Sequence, residues 1–340
     1  MKRIILLMLI SIGLLGFIGC GRSASTTSDS IVIGWHGVEP HPYIERVQRG
    51  AQTFASEHPE IILLERMSPA SSTSNQAADI EAMIAQGARF ITAYPADASA
   101  INGLAEEWLT HGVQVVLYGA QPLHPTPTIF TVGTDIYAAA VLATETLIRA
   151  MGGSGNILNI LENLYDPNTV IRKEAIEATV ARHAGVEIVM EIAGMGSAEE
   201  ATERISAAIG ALGNNVNGAL CTGVTTSIGL ANVLTELTET GRGQRIHGVT
   251  LDTHPTIMLA VEAGIIDATL AENPNGHGYL AMLLLKALAD GYVKRNPDDY
   301  YIDAGMAIVT RENAADFSRD LDAVTAELAR TIHERYLVRR

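Results

Sequence analysis

Cysteine is almost missing from this 340-residue chain, which has only Cys20 and Cys221. Two thiols provide no disulfide framework to hold a fold. Positive charge is also scarce: 23 Lys and Arg stand against 38 Asp and Glu, a formal net charge of −15. A surface so poor in cations excludes nucleic acid as a partner, because that affinity comes largely from neutralising phosphates. After residue 30 no hydrophobic run is long enough to span a bilayer, and no low-complexity segment or short repeat occurs. Chemical motifs are missing as well. Among the histidines His36, His41, His254 and His277 no pair has the i,i+4 or HxH spacing of a zinc site, and "LDTHP" and "NGHGY" are single-His loops. The glycine runs "MGGSGN" (151–156) and "GMGS" (194–197) are not dinucleotide loops, and the first precedes a strand instead of following one. Neither a metal nor a cofactor is expected.

What the chain does have begins at residue 2. Lys2 and Arg3 precede an apolar run from Ile4 to Ile18, broken only by Ser11 and two glycines. That is the layout of a secretory signal, 1–19, too short for a comfortable membrane span. The stretch Phe17-Ile18-Gly19-Cys20 resembles the lipobox of bacterial lipoproteins. The resemblance implies that Cys20 becomes the first mature residue and carries a diacylglycerol. Residues 20–30, rich in Ser and Thr, then form a lipidated, flexible tether. Acyl chains anchor by about 0.8 kcal/mol per buried CH₂. The expected location is extracytoplasmic, periplasmic or at the outer cell surface, with the membrane held through the lipid. The alternative is an ordinary signal with a chance cysteine.

Beyond Ile31 the chain alternates short apolar runs with amphipathic segments. Strand-like runs fall at 31–35, 61–65, 89–94 and 113–118, and a second series at 156–162, 187–192, 217–222, 245–251 and 267–272. Between them, 75–87 puts Ile80, Met83 and Ile84 on one helical face, with Gly87 as terminator. Residues 97–112 repeat the plan with Asp97 as N-cap and Gly112 as stop. Asp135 is expected to cap a helix after the first crossover. Alternation of this kind means βαβ units and parallel sheets covered on both faces. Two series predict an α/β protein of two Rossmann-like doubly wound domains. Ligands of such sheets bind at the carboxyl ends of the strands. The loops there, such as "HGVEPHPY", "YPADAS", "LDTHP" and "ENPNGHG", are rich in His, Tyr, Asn, Asp and Glu.

The order of "HPYIERVQRGAQTFASE", "DIEAMIAQGARFITAYPADASAI", "VGTDIYAAA", "IRKEAI" and "VTLDTHPTIMLAVEAGIIDATLAENPNGHGYLA" resembles periplasmic sugar-binding proteins of ABC transporters, of the ribose- and galactose-binding type. The resemblance implies a type I periplasmic-binding fold with a three-stranded hinge. It implies a first domain over 31–133 plus 274–303 and a second over 134–273 plus 304–312. The tail over 313–340 has Phe317, Leu321, Val324, Leu328, Ile332 and Leu337 broadly on one side. By that amphipathic pattern it reads as a final helix, with contact to a partner as the alternative. The resemblance further implies a monomer that binds a sugar or polyol between the domains and delivers it to an ABC permease. Carried over residue by residue, the family's Asn-Pro-Phe-Phe/Trp loop reads His41-Pro42-Tyr43-Ile44, so Tyr43 is the stacking ring and His41 replaces the amide. Arg172 falls on the ligand-binding arginine, Asp252 on the strand-end aspartate and Glu272 on the hinge-side amide. The family's Asp-Arg pair aligns with Gly119-Ala120, and its asparagine with Gly223, so both are lost.

These residues make chemical sense on their own. A guanidinium donates and carboxylates accept at fixed geometry, which suits a hydroxyl-rich ligand. Tyr94 and Tyr118, at strand ends, would add stacking or hydroxyl contacts. Duller roles exist for each. Asp252 would serve as a capping acid, Arg172 as a surface ion-pair partner, Glu272 as a backbone acceptor at a crossover. Asp252 and Glu272 also admit reading as a glycosidase pair, but no other feature supports an enzyme. A tethered receptor for a membrane sensor kinase, or a binder of a nucleoside, would use the same fold. Cys221 lies in an apolar strand and reads as a small buried hydrophobe.

Overall fold

The computed structural model describes residues 30–241 and 243–340, so the signal-like segment and the lipidation expected at Cys20 lie outside the described residues. The chain opens with β1 (Ile31–Gly37), α1 (Pro42–Glu57), β2 (Ile61–Met67), α2 (Thr73–Ala85), β3 (Phe90–Ala93), α3 (Ala100–Thr110), β4 (Gln114–Tyr118) and β5 (Phe130–Gly133). A second series follows: α4 (Ile136–Ala150), β6 (Gly155–Ile160), α5 (Pro167–Val180), β7 (Val186–Ile192), α6 (Ala198–Leu212), β8 (Gly218–Cys221), α7 (Val224–Thr240), β9 (His247–Leu251), α8 (Pro255–Glu262) and β10 (Ala268–Glu272). The remainder is α9 (Pro274–Ala289), β11 (Tyr292–Lys294), β12 (Tyr301–Asp303), β13 (Met306–Val309), α10 (Phe317–Tyr336) and β14 (Leu337–Arg339).

These elements build two lobes around two sheets, ordered β12-β5-β4-β3-β1-β2 and β13-β10-β9-β8-β6-β7. Every pair is parallel except the edge strand β13 against β10. Apolar residues three or four positions apart fix the helices. In α1, Ile44, Val47, Ala51 and Phe54 bury one stripe, and in α2 Ile80 and Met83 do the same, with the polar Gln76 buried beside them. Side-chain caps start them. Ser72, Asp135 and Ser197 accept hydrogen bonds from the amides of Asn75, Ala138 and Glu200. One expectation needs correction. The N-cap position of α3 is Ser99, whose side chain makes no cap; Asp97 instead accepts from the amides of Ser99 and Ala100 in the turn before it.

Three strands of chain cross between the lobes: after β5, between β10 and α9, and between β12 and β13. Asn273, buried at the second crossing, ties it to the third and to α10. Its Nδ2 donates to the Ala304 carbonyl at the third crossing and to Thr325 Oγ1 of α10, each at 2.9 Å. The helix α9 returns the chain to the first lobe and packs against α1 at backbone distance. A Cβ at Gly50 would overlap the Asn275 carbonyl, and one at Gly278 the Val47 carbonyl.

The tail departs from a plain final helix over 313–340. It is helical over Phe317–Tyr336, then forms β14, which pairs antiparallel with β11. Its apolar face belongs to both lobes. Leu321 sits in the second lobe's core, while Leu328, Ile332 and Leu337 sit in the first's. Among the described residues, no helix is long and apolar enough to cross a membrane.

Candidate functional site

The carboxyl ends of both sheets face a cleft of about 450 Å³ between the lobes. Six of the residues singled out from the sequence line it, His41, Tyr43 and Tyr94 from the first lobe and Arg172, Asp252 and Glu272 from the second; Tyr118 does not.

The first wall is aromatic. Pro42 and Tyr43 open α1, and His41 is its N-cap, accepting the Tyr43 amide on Nδ1 at 3.1 Å. His41 is exposed at the rim and spends that nitrogen on the helix. The Tyr43 ring meets Tyr94 edge to face, with centroids 6.4 Å apart. Behind them Tyr118 is fully buried, with its hydroxyl on the His36 carbonyl, so it supports Tyr94 and does not reach the cleft. His36 is likewise no loop residue. It lies inside β1, bonded to Ser68, and burial lowers its pKa to about 4. Gln76 fixes the loop after β3, donating to the Tyr94 carbonyl and accepting from the Ala96 amide. Burial pushes the Tyr94 phenol up to about 12.

Gly119, where the family's Asp-Arg pair aligns, leaves no room for a side chain. Its φ of +78° is left-handed, which favours glycine, and a Cβ there would lie 2.7 Å from the Tyr43 hydroxyl and 2.8 Å from the Tyr94 ring. The two tyrosines occupy the room that side chains after β4 would need.

The second wall is charged. Arg172, in the first half of α5, donates through Nη2 to Glu272 Oε1 at 3.0 Å. Burial raises the Glu272 carboxyl above its usual range; Arg172 pulls the other way, and the charge of Asp252 adds to the rise. Asp252 adopts φ +82°, a left-handed conformation that a non-glycine residue enters at a cost. Backbone bonds hold it there: its amide donates to Leu270 and its carbonyl accepts from Thr269 Oγ1 at 2.8 Å. It does not cap α8; His254 does, accepting the Thr256 amide.

Two residues that sequence reasoning passed over belong here. Glu162, at the end of β6, accepts the Thr226 amide at 3.2 Å and so caps α7, whose own N-cap is Gly223. A Cβ at Gly223 would overlap the Glu162 side chain, so that side chain fills the space a larger residue at 223 would need. Burial raises the Glu162 pKa against the pull of those amides and of Arg172. Arg46, one turn beyond Tyr43, crosses the cleft to Thr253 Oγ1 at 2.8 Å and Asp252 Oδ2 at 3.4 Å. The Nε–H groups of Arg46 and Arg172 are buried and have no protein partner among the described residues. Position relative to Tyr43 and to the end of β6 was the available signal for both.

A family model described as periplasmic binding protein domain matches residues 36–292. The chain belongs to that family. Among family relatives, a xylitol-binding protein of Mycolicibacterium smegmatis is 22% identical over 303 residues, covering 88% of this chain and 83% of its own. An arabinose-binding protein from Geobacillus stearothermophilus superposes with a TM-score of 0.73 at 20% identity, over 85% of this chain and 99% of that one. A solute-binding protein from Bacillus halodurans, solved with bound myo-inositol, superposes with a TM-score of 0.71 at 16% identity, over 87% and 99%. The two superpositions establish the type I periplasmic-binding fold. Within that family fold, this chain carries Gly119 and Gly223 at two cleft positions and fills the space from Tyr43, Tyr94 and Glu162.

Proposed function

We propose that this chain is an extracytoplasmic solute-binding protein that captures a small sugar or polyol in the cleft and delivers it to an ABC permease. The observation that carries the reading is the pairing of an aromatic wall on one lobe with a guanidinium–carboxylate wall on the other, bridged by Arg46. Aromatic faces stack on sugar C–H groups, while Arg and carboxylate groups meet hydroxyls as donors and acceptors. Relatives whose names or bound ligands are xylitol, arabinose and myo-inositol point to the same class. His41, Tyr43, Tyr94, Arg172, Asp252 and Glu272 are the proposed contacts, joined by Arg46 and Glu162. The moving bodies are 31–133 with 274–303 and 134–273 with 304–312. Closure on a ligand proceeds by rotation at the crossings. Lipidation at Cys20 would hold the monomer near its permease.

A thermal-shift and calorimetric screen tests this, with xylitol, D-arabinose, D-xylose, myo-inositol and hexoses set against nucleosides and amino acids. A ligand at 1,000 times its dissociation constant stabilises by about 4.1 kcal/mol. Binding of one sugar or polyol is expected. Binding of a nucleoside or amino acid alone would replace the substrate class and keep the fold.

A further inference from the structure

His277 has no assigned part in the cleft, yet it is the side chain on which the aromatic wall rests. It lies in the first turn of α9 and is fully buried. Its Nδ1 is 2.7 Å from the Tyr43 hydroxyl, and its Nε2 is 3.2 Å from Thr134 Oγ1. Tyr43 and Thr134 both line the cleft, and Thr134 stands at the first crossing between the lobes. The backbone contact of α1 with α9 at Gly50 and Gly278 is what brings the imidazole to Tyr43. Burial holds the ring neutral, its pKa lowered to about 3.

A neutral imidazole has one donor and one acceptor. The phenol is the stronger proton donor and the bare imidazole nitrogen the stronger base, so Tyr43 donates to Nδ1. That leaves Nε2–H to donate to Thr134. Both nitrogens of a fully buried histidine are thereby spent on cleft residues, at a position where an apolar side chain would pack with no polar group to satisfy. The ring of Tyr43 is half-buried, edge-on to both Tyr94 and His277. Among the described residues its hydroxyl has one anchor, His277.

We propose that His277 is a positioning residue for ligand binding: it fixes the orientation of the Tyr43 ring in the cleft and ties that wall to the hinge crossing at Thr134. The inference rests on the reading of the cleft as the ligand site.

The test has two arms, so that failure of the cleft reading and failure of the positioning role separate. The first needs no ligand. At neutral pH, NMR of the wild type should show a protected Tyr43 hydroxyl proton and His277 as the Nε2–H tautomer. In His277→Met the hydroxyl signal should be lost and Tyr43 ring flipping quicken. In His277→Asn, which restores an acceptor near the Nδ1 position, protection should return at least in part. The second arm uses the tightest binder among xylitol, D-arabinose and myo-inositol. His277→Met should weaken it by about fivefold or more, the scale of one lost hydrogen bond. Adding Tyr43→Phe should cost little more, since both variants break one contact. Unchanged hydroxyl protection and ring flipping in His277→Met would overturn the proposal, as would losses that multiply in the double variant. If none of the three compounds binds, the first arm decides the anchor alone. If His277→Met does not fold, His277→Asn and Tyr43→Phe carry both arms.

Discussion

Arg46 of α1 and Asp252 of the second lobe meet across the cleft at 3.4 Å, with Thr253 accepting a second, shorter bond at 2.8 Å from the same guanidinium. The lips of the cleft are therefore joined by protein groups alone. Both charged side chains are about a quarter exposed, at 25% and 23%, so the pair contributes no more than about 1 kcal/mol. A latch that weak biases the lobes toward closure and yields to a ligand.

Arg46→Ala should accordingly shift the ligand-free population toward the open form with little change in melting temperature. Small-angle scattering, or a spin-label distance between the lobes, would register the change. The same interlobe distance in wild type and variant would deny the latch any role.

Removing Arg172 leaves Glu272 as a buried carboxylate without its partner. Arg172→Ala should destabilise the fold by about 3 kcal/mol at neutral pH, and less at acid pH, because burial favours the protonated form of the Glu272 carboxyl. Glu272→Gln keeps an acceptor for Nη2 and should cost under about 1.5 kcal/mol. Denaturant titration of both variants at two pH values checks the contrast.

At Gly119 two penalties coincide, a left-handed φ and contact with the two tyrosines. Gly119→Ala should lose about 1–3 kcal/mol of stability and weaken ligand binding together, because relief must come from Tyr43 or Tyr94. A variant as stable and as tight-binding as the parent would show that the rings do not rest there.

Acid should unfold the protein partly through histidine. His36 and His277 titrate in the folded state at about 4 and about 3, against an ordinary value of 6.5. Their folded pKa values are depressed, so the unfolded chain binds the protons first. Stability is full above about pH 6.5 and falls as pH drops toward those values, at about 1.4 kcal/mol per pH unit for each histidine. The raised carboxyls Glu162 and Glu272 act in the opposite sense, their contribution fading as pH rises above the usual carboxylate range. His277→Met should flatten the acid limb by one histidine's share, which urea midpoints between pH 4 and 7 would measure.

Much of the fold was legible because period and punctuation agree. Ile80 and Met83 with Gly87, or the apolar runs at 31–35 and 245–251, leave little choice of element. The cleft was legible where a residue follows a strand, as with Tyr94, Asp252 and Glu272. It was less so where chemistry depends on packing. Arg46 reads as one more charged residue of an amphipathic helix until the second lobe is placed opposite. Gly119 and Gly223 read as losses, since a sequence does not say that Tyr43 and Glu162 take the space. His277 reads as a single-His loop because its burial depends on α1 and α9 touching through glycines. The three-residue strands β11 and β14 carry no alternation to detect.

The tail helix α10 has a thermodynamic consequence. Its early turns, at Leu321, are sealed into one lobe, and its later turns, at Leu328 and Ile332, into the other. Melting of either lobe releases one end of a helix whose other end is packed in the other's core. Two lobes linked only by three extended crossings would be free to unfold one at a time; a helix shared between their cores couples the two unfolding equilibria.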